Sequence, residues 1–294
     1  MLRRLLLPLL LLCSLSHAEL RHGVAVSVDG QVRSEFSSCE NDLFPLMSII
    51  KFPLAIVVLH QVEQGKYSME QSFELGPADM DAQTWSPLQK LHPAGGVFTL
   101  RELLHACLCQ SDNNACNYLF SLAGGPQEVQ RFFSVRYGSG FPLRISRTER
   151  GMKDPRGMAE NRATPLALLR LLEDVYAAAR QTCERPILSA PYAACLLETM
   201  EQAQTGDLRL KAGLPASGIR FAHKTGSSGV DGGRTLAHHD VGIVMQQNGR
   251  HACVVSLITG SDESEEQMNR CHAATARSVY QLHLNGGDNK RAQP

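Results

Sequence analysis

The chain has 294 residues, 43% of them hydrophobic and 20% charged, and its 29 basic and 29 acidic side chains cancel. With no basic run and no acidic tail, this balance argues against a nucleic-acid partner and against a charged docking tail. No internal repeat or long low-complexity segment is present, so one monomeric globular unit is expected.

The first 18 residues stand apart. Arg3 and Arg4 precede an apolar run from Leu5 to Leu12, broken only by Pro8, and Ser16-His17-Ala18 closes it with small residues at the two positions that cleavage needs. The run is too short to cross about 30 Å of hydrocarbon, so a signal peptide cleaved after Ala18 is expected rather than a membrane anchor. The protein is then exported and periplasmic. Nine cysteines become eight once Cys13 leaves. Cys107, Cys109 and Cys116 crowd one stretch, but no second ligand pair follows at zinc spacing, so buried thiols or a disulfide are expected there and no metal.

From Gly23, two β-prone runs flank Asp29-Gly30, which reads as a hairpin. An apolar helix is expected from about Ser48 to Gln64, closed by Gly65. Four further segments have helical patterns: "TLRELLHACL" with Thr99 and Glu102 as a capping box, "NACNYLFSLAGG", "PLALLRLLEDVYAAA" and "PYAACLLETMEQA". Between the second and third lies an irregular stretch, about Arg144 to Thr164, of a length that often signals function. Strands follow: "IRFAHKTG", "DVGIVMQQ", a turn at Asn248-Gly249, and "HACVVSLIT". A last helix runs from Ser264 to Leu282, with Ser264 and Gln267 as its capping pair, and residues 285–294 are expected to be disordered. The fold class is therefore α+β. An antiparallel sheet flanked by helices draws strands from both chain ends, residues 19–46 and 200–284, and an all-helical domain, 47–199, is inserted between them. A cleft is expected where the two parts meet.

Three short motifs bear on chemistry. Ser48 and Lys51 share a helix face at a spacing of three, the arrangement of a hydroxyl and its activating base. The apolar neighbours Ile49, Ile50 and Phe52 are expected to desolvate Lys51 and bring it near neutrality. Ser111-Asp112-Asn113 alone is a helix-capping signal, and Lys224-Thr225-Gly226 alone is a strand end. In this order, however, S-x-x-K, S-D-N and K-T-G form the set found in class A β-lactamases and penicillin-binding proteins. Together with "IVVLHQVEQGK", "QTWSP", "LLHACLCQSDNNACNYLFSLAGGP" and "HHDVGIV", they make most of residues 23–283 resemble the class A serine β-lactamases, and within them the PER/VEB-like extended-spectrum branch.

The resemblance implies a β-lactam as small-molecule substrate and no cofactor. It implies Ser48 as nucleophile, Lys51 in the proton network, and Ser111 as the relay to the leaving lactam nitrogen. Asn113 would bind the substrate's side-chain amide, Lys224 and Thr225 its carboxylate, and the backbone N–H groups of Ser48 and Ser227 the oxyanion. Glu149 aligns with the deacylating glutamate, with Glu160 as the competing loop carboxylate. Trp85 would stand at the pocket mouth. Arg209 would add a second cation for the carboxylate, a role for which Arg220 competes by sharing the strand face of Lys224. Two features depart from the wider pattern: Lys153 stands where an asparagine is expected four residues after the glutamate, and only Glu19 to His22 separate the cleavage site from the first strand, where relatives carry a helix. Two other readings share the motifs: a D,D-peptidase of the penicillin-binding type, and an inactive homologue.

Overall fold

The computed structural model describes residues 20–153 and 155–285. The expected signal peptide and all but the first residue of the expected tail lie outside them, and of the short segment Glu19 to His22 only Glu19 does, Arg21 and His22 already belonging to the first strand. The chain opens on strand β1 (Arg21–Val28), turns at Asp29 and Gly30, both with positive φ, and returns as the short β2 (Gln31–Val32). Two consecutive left-handed residues make a turn whose twist matches the strands it joins, which is why the Asp-Gly pair is legible.

Helices follow: α1 (Lys51–Glu63), α2 (Leu100–Cys109), α3 (Asn113–Ala123), α4 (Pro126–Tyr137), α5 (Pro165–Arg180) and α6 (Ala190–Glu201). The chain then returns to the sheet as β3 (Ile219–Ser227), β4 (His238–Gln246) and β5 (His251–Thr259), and ends in α7 (Glu265–Val279). The sheet is five-stranded and antiparallel throughout, in the order β2-β1-β5-β4-β3, so the first and last segments of the chain pair at its centre. Alternation then divides it. Val24, Val26 and Val28 of β1 pack with Val254, Ala276 and Val279 under α7, while Ala25 joins Val255, Leu257 and the helical core on the other face.

Within that core α1 is buried on nearly every side, from Lys51 through Leu59. A helix apolar all round can only be central, and its first residue is therefore carried into the interior. The capping boxes at Thr99–Glu102 and Ser264–Gln267 form as expected.

Three local differences from the sequence reading have physical causes. The expected start of α1 is a 3₁₀ turn, Met47–Ile50, because Met47 takes φ +46° and tightens the entry. Helix α4, not anticipated, buries only Val129 and Phe133 and so lacks a strong stripe. The last helix stops at Val279 and widens into a π turn at Tyr280–Leu284. Of the two expectations for the crowded cysteines, Cys107, Cys109 and Cys116 are buried thiols and form no disulfide.

Candidate active site

The site begins where α1 enters the core. Ser48 sits in the 3₁₀ turn, and Lys51, the first residue of α1, is fully buried. Lys51 Nζ donates to Ser48 Oγ at 2.6 Å, to Asn113 Oδ1 at 2.6 Å and to the Ser111 carbonyl at 3.0 Å, and stands 2.6 Å from Glu149 Oε1. Ser48 Oγ in turn donates to Glu149 Oε1 at 3.0 Å. The expectation of a near-neutral Lys51 fails here. Burial is the largest single influence and presses its pKa down, but the Glu149 carboxylate in contact, together with the nearby Cys116 and Cys107, leaves it above the ordinary lysine value. Lys51 is an ammonium.

The lysine near neutrality is Lys224. It is buried without a carboxylate in contact and feels the Lys51 charge, and desolvation first, then that charge, bring it down to about 7. Its Nζ donates to Ser111 Oγ at 3.0 Å and to the Thr225 carbonyl at 2.9 Å. Ser111 Oγ also accepts from Lys51 at 3.3 Å, so this one hydroxyl lies between the two lysines. Ser111 holds φ +57°, a strained left-handed conformation for a residue with a side chain. What fixes it is Asp112, fully buried, which caps α3 through Ala115 N at 2.9 Å and accepts from Ser86 Oγ and Leu88 N, each at 2.8 Å. The same bonds bring in the segment carrying Trp85. Its carbonyl accepts from Asn113 N at 3.0 Å, and its indole donates to the Gln110 carbonyl at 2.9 Å. With 55% of its surface exposed, Trp85 stands at the rim beside Asn113.

The opposite wall is β3. An added Cβ on Gly226 would sit 2.8 Å from the Leu46 carbonyl oxygen and 3.2 Å from Ile49 N. The glycine of K-T-G thus allows the strand backbone to reach the nucleophile turn. Arg209, itself buried, donates from Nη1 to the carbonyls of Gly226 at 3.2 Å and His239 at 2.6 Å, and from Nη2 to Ser227 Oγ at 2.6 Å. Arg220 instead pairs with Glu201 at 2.6 Å on the exposed side of the sheet. Of the two arginines, Arg209 is the one beside Lys224 and Thr225.

The irregular stretch delivers Glu149. Its neck is closed by Asn161, whose Oδ1 accepts from Ser146 N at 2.8 Å and Arg147 N at 3.0 Å and whose Nδ2 donates to the Arg147 carbonyl at 2.9 Å. Arg147 also forks onto Glu160 at 2.8 and 2.9 Å. Glu160 is therefore occupied in holding the loop, while Glu149 lies buried against Ser48 and Lys51. Lys153 points out to an ion pair with Asp81.

The structure therefore brings Ser48, Lys51, Ser111, Asn113, Glu149, Lys224, Thr225, Ser227 and Arg209 to one cleft, with Trp85 at its edge. Sequence reasoning missed Thr84 Oγ1, which accepts from Asn113 Nδ2 at 2.8 Å, and Thr205, whose hydroxyl meets that of Thr225 at 2.7 Å. Thr84 borders Trp85, which was singled out; Thr205 carried no local signal. The arrangement pairs a hydroxyl with an adjacent carboxylate and ammonium, and faces cations toward an anion.

Comparison with known proteins agrees in extent. A profile described as "Beta-lactamase enzyme family" matches residues 18–282. The chain is 31% identical over 263 residues to β-lactamase VEB-1 of Pseudomonas aeruginosa, covering 89% of this chain and 86% of that one. It is 32% identical over 243 residues to the extended-spectrum β-lactamase PER-1 of the same organism, covering 82% and 76%. A solved class A β-lactamase from Bacteroides cellulosilyticus superposes with a TM-score of 0.81 at 27% identity, over 89% of this chain and 91% of that one.

Proposed function

We infer the reaction from a fixed premise: the chain belongs to the β-lactamase enzyme family, with class A enzymes as its relatives. It is a serine β-lactamase, a hydrolase of the β-lactam amide that confers antibiotic resistance. The observation that carries the assignment of roles is the triangle of Ser48 Oγ, Lys51 Nζ and Glu149 Oε1, with edges of 2.6, 2.6 and 3.0 Å.

An ammonium cannot accept a proton, so Lys51 is not the base that activates Ser48 in the resting enzyme. Glu149 accepts the Ser48 hydroxyl hydrogen and is the base in reach. Ser48 Oγ attacks the lactam carbonyl as its proton passes to Glu149, while Lys51 steadies the developing charge. The oxyanion faces the backbone N–H groups of Ser48 and Ser227, where charge exists mainly in the transition state. Ser111 gives its proton to the departing lactam nitrogen and is resupplied from a neighbouring lysine. Lys51, on giving a proton to Ser111, regains one from Glu149 in contact, which returns Glu149 to a carboxylate; Glu149 then draws a proton from the water that cleaves the acyl-enzyme and passes it to the departing Ser48 Oγ. Lys224, Thr225 and Arg209 hold the substrate carboxylate, Asn113 its side-chain amide, and Trp85 covers the mouth. A buried carboxylate beside the nucleophile favours the β-lactamase reading over the D,D-peptidase one, which shares the three motifs but lacks this glutamate.

Purified protein is expected to turn over a chromogenic cephalosporin, and Ser48→Ala to end this. Glu149→Gln is expected to slow turnover by about 10²–10⁴-fold, the usual worth of a general base, and to leave a covalent adduct on Ser48 visible by mass spectrometry. A wild-type adduct that persists without turnover points to the peptidase, and folded wild type that forms no adduct to an inactive homologue. Export rests on the Arg3–Ala18 pattern, and no helix among the described residues is long and apolar enough to cross a membrane. N-terminal sequencing of periplasmic protein is expected to begin at Glu19.

A further inference from the structure

A second set of chemically able side chains lies at the other end of the sheet. His251 and Cys253 are two apart on β5, so both face the helical layer. Ser27 of β1 is the cross-strand partner of Cys253. Glu173 descends from α5, which covers this face, and its Oε2 lies 2.9 Å from His251 Nε2 while Ser27 Oγ donates to its Oε1. His251 and Cys253 are buried, and the donor atoms of Glu173, His251 and Cys253 all lie within 4.8 Å of one another. None of them has a part in the reaction described above. Ser256 lies five positions on from His251 and pairs with Asp240 behind Thr225, a distance of about 17 Å along the sheet.

We propose that Glu173, His251 and Cys253 bind a Zn²⁺ ion that clamps α5 to the central strands. A thiol, an imidazole and a carboxylate form a borderline-soft set that suits zinc and not calcium or magnesium, which require oxygen ligands in greater number. Two ligands of one tetrahedral zinc stand about 3.3 Å apart, so the imidazole and carboxylate need to open only slightly to admit the ion. Ser27 Oγ, already on Glu173, is placed to hold a water or serve as the fourth ligand. The imidazole is oriented from behind. Its Nδ1 lies 3.8 Å from Asp29 Oδ1, and the Tyr176 ring stacks on it with centroids 3.8 Å apart. A carboxylate behind a metal-binding histidine is the usual supporting shell. A buried carboxylate needs only hydrogen-bond donors for its satisfaction, whereas this thiol and braced imidazole supply metal ligands as well. On binding, the Cys253 thiol loses its proton to solvent and the imidazole proton moves from Nε2 to Nδ1, with no change in oxidation state.

The test uses the whole chain, stripped with a chelator and titrated with Co²⁺ as an optical stand-in for Zn²⁺. Saturation at one ion per chain, a thiolate-to-cobalt charge-transfer band, displacement by Zn²⁺ and a higher melting temperature with Zn²⁺ are expected. Cys253→Ser is expected to abolish the band, and His251→Gln to weaken binding tenfold or more, with cephalosporin turnover as in wild type. Cys39→Ser, which alters an exposed thiol, is expected to change nothing. Absence of saturable binding by folded wild type overturns the proposal, and so does a band that survives Cys253→Ser. The wild-type titration and melting shift decide the matter if either variant fails to fold. Neither depends on how the cleft is read.

Discussion

Two lysines donate to Ser111 Oγ, and burial acts on them with different results because only one touches a carboxylate. Lys51 keeps its proton through Glu149, whereas Lys224 has no such partner and lies at about 7. In the free enzyme Lys224 therefore loses charge as pH rises through neutrality, and with it part of its hold on a substrate carboxylate. The kcat/KM profile reports free-enzyme groups, so it is expected to fall on the alkaline side from about pH 7. The kcat profile is expected to be flatter, since a bound carboxylate favours the ammonium. Lys224→Arg is expected to remove the limb, because a guanidinium stays charged. Steady-state kinetics across neutrality check this, and a kcat/KM that stays flat in wild type contradicts it. The motifs were legible because S-x-x-K, S-D-N and K-T-G are each contained in a few residues. Which lysine titrates near neutrality was not legible, because it depends on where the loop carrying Glu149 lands, and no spacing encodes that.

At the scale of elements, the cleft depends on how closely β3 can lie against the 3₁₀ turn that carries Ser48. Gly226 sets that distance, since an added Cβ would meet, besides the Ile49 side chain, backbone atoms of Leu46 and Ile49, which cannot rotate away. Strand β3 is a sheet edge, so it can yield outward without unfolding the sheet. Gly226→Ala is therefore expected to fold but to lose about a hundredfold in kcat/KM, the scale of an ångström of misplacement at a reacting centre. Circular dichroism with kinetics checks both halves, and a variant with wild-type kcat/KM contradicts the argument. The elements readable in advance were those with strong local chemistry: the capping boxes at Thr99 and Ser264, the Asp29-Gly30 turn, and the apolar α1. Helix α4 was not read because its stripe is thin, with Val135 on its outer side 76% exposed. Its ends were marked nonetheless, by Gly125-Pro126 and by Gly138.

For the molecule as a whole, the decisive region is where the first strand meets the last strands and the helix that follows them. His22 of β1, His238 and His239 of β4 and His272 of α7 are gathered there, linked through Ser256, which lies 2.7 Å from both His22 Nε2 and His272 Nδ1. His238 Nδ1 lies 3.0 Å from His272 Nε2, and His239 Nε2 meets the Pro45 carbonyl at 2.7 Å, just before the nucleophile turn. Burial, with the nearby Arg209 charge adding to it for His238, His239 and His272, lowers His22 and His239 to about 4 and His238 to about 3, and places His272 well below its ordinary value. The folded protein thus refuses protons that the unfolded chain accepts below 6.5. Their stabilising effect is complete above that pH and declines as the pH falls toward 4, by about 1.4 kcal/mol per pH unit for each histidine that stays neutral. Carboxylates held below their ordinary value, such as Glu160 and Glu173, lose stabilisation only from about 4.5 downward. The interval between 6.5 and 4.5 consequently isolates the histidines. Urea unfolding across it is expected to show a steep loss of stability that His238→Asn reduces. A flat stability in wild type over this interval contradicts the expectation. Because His239 holds the carbonyl of Pro45, acid strain in this cluster is transmitted toward Ser48, so activity is expected to fail before global unfolding as the pH is lowered.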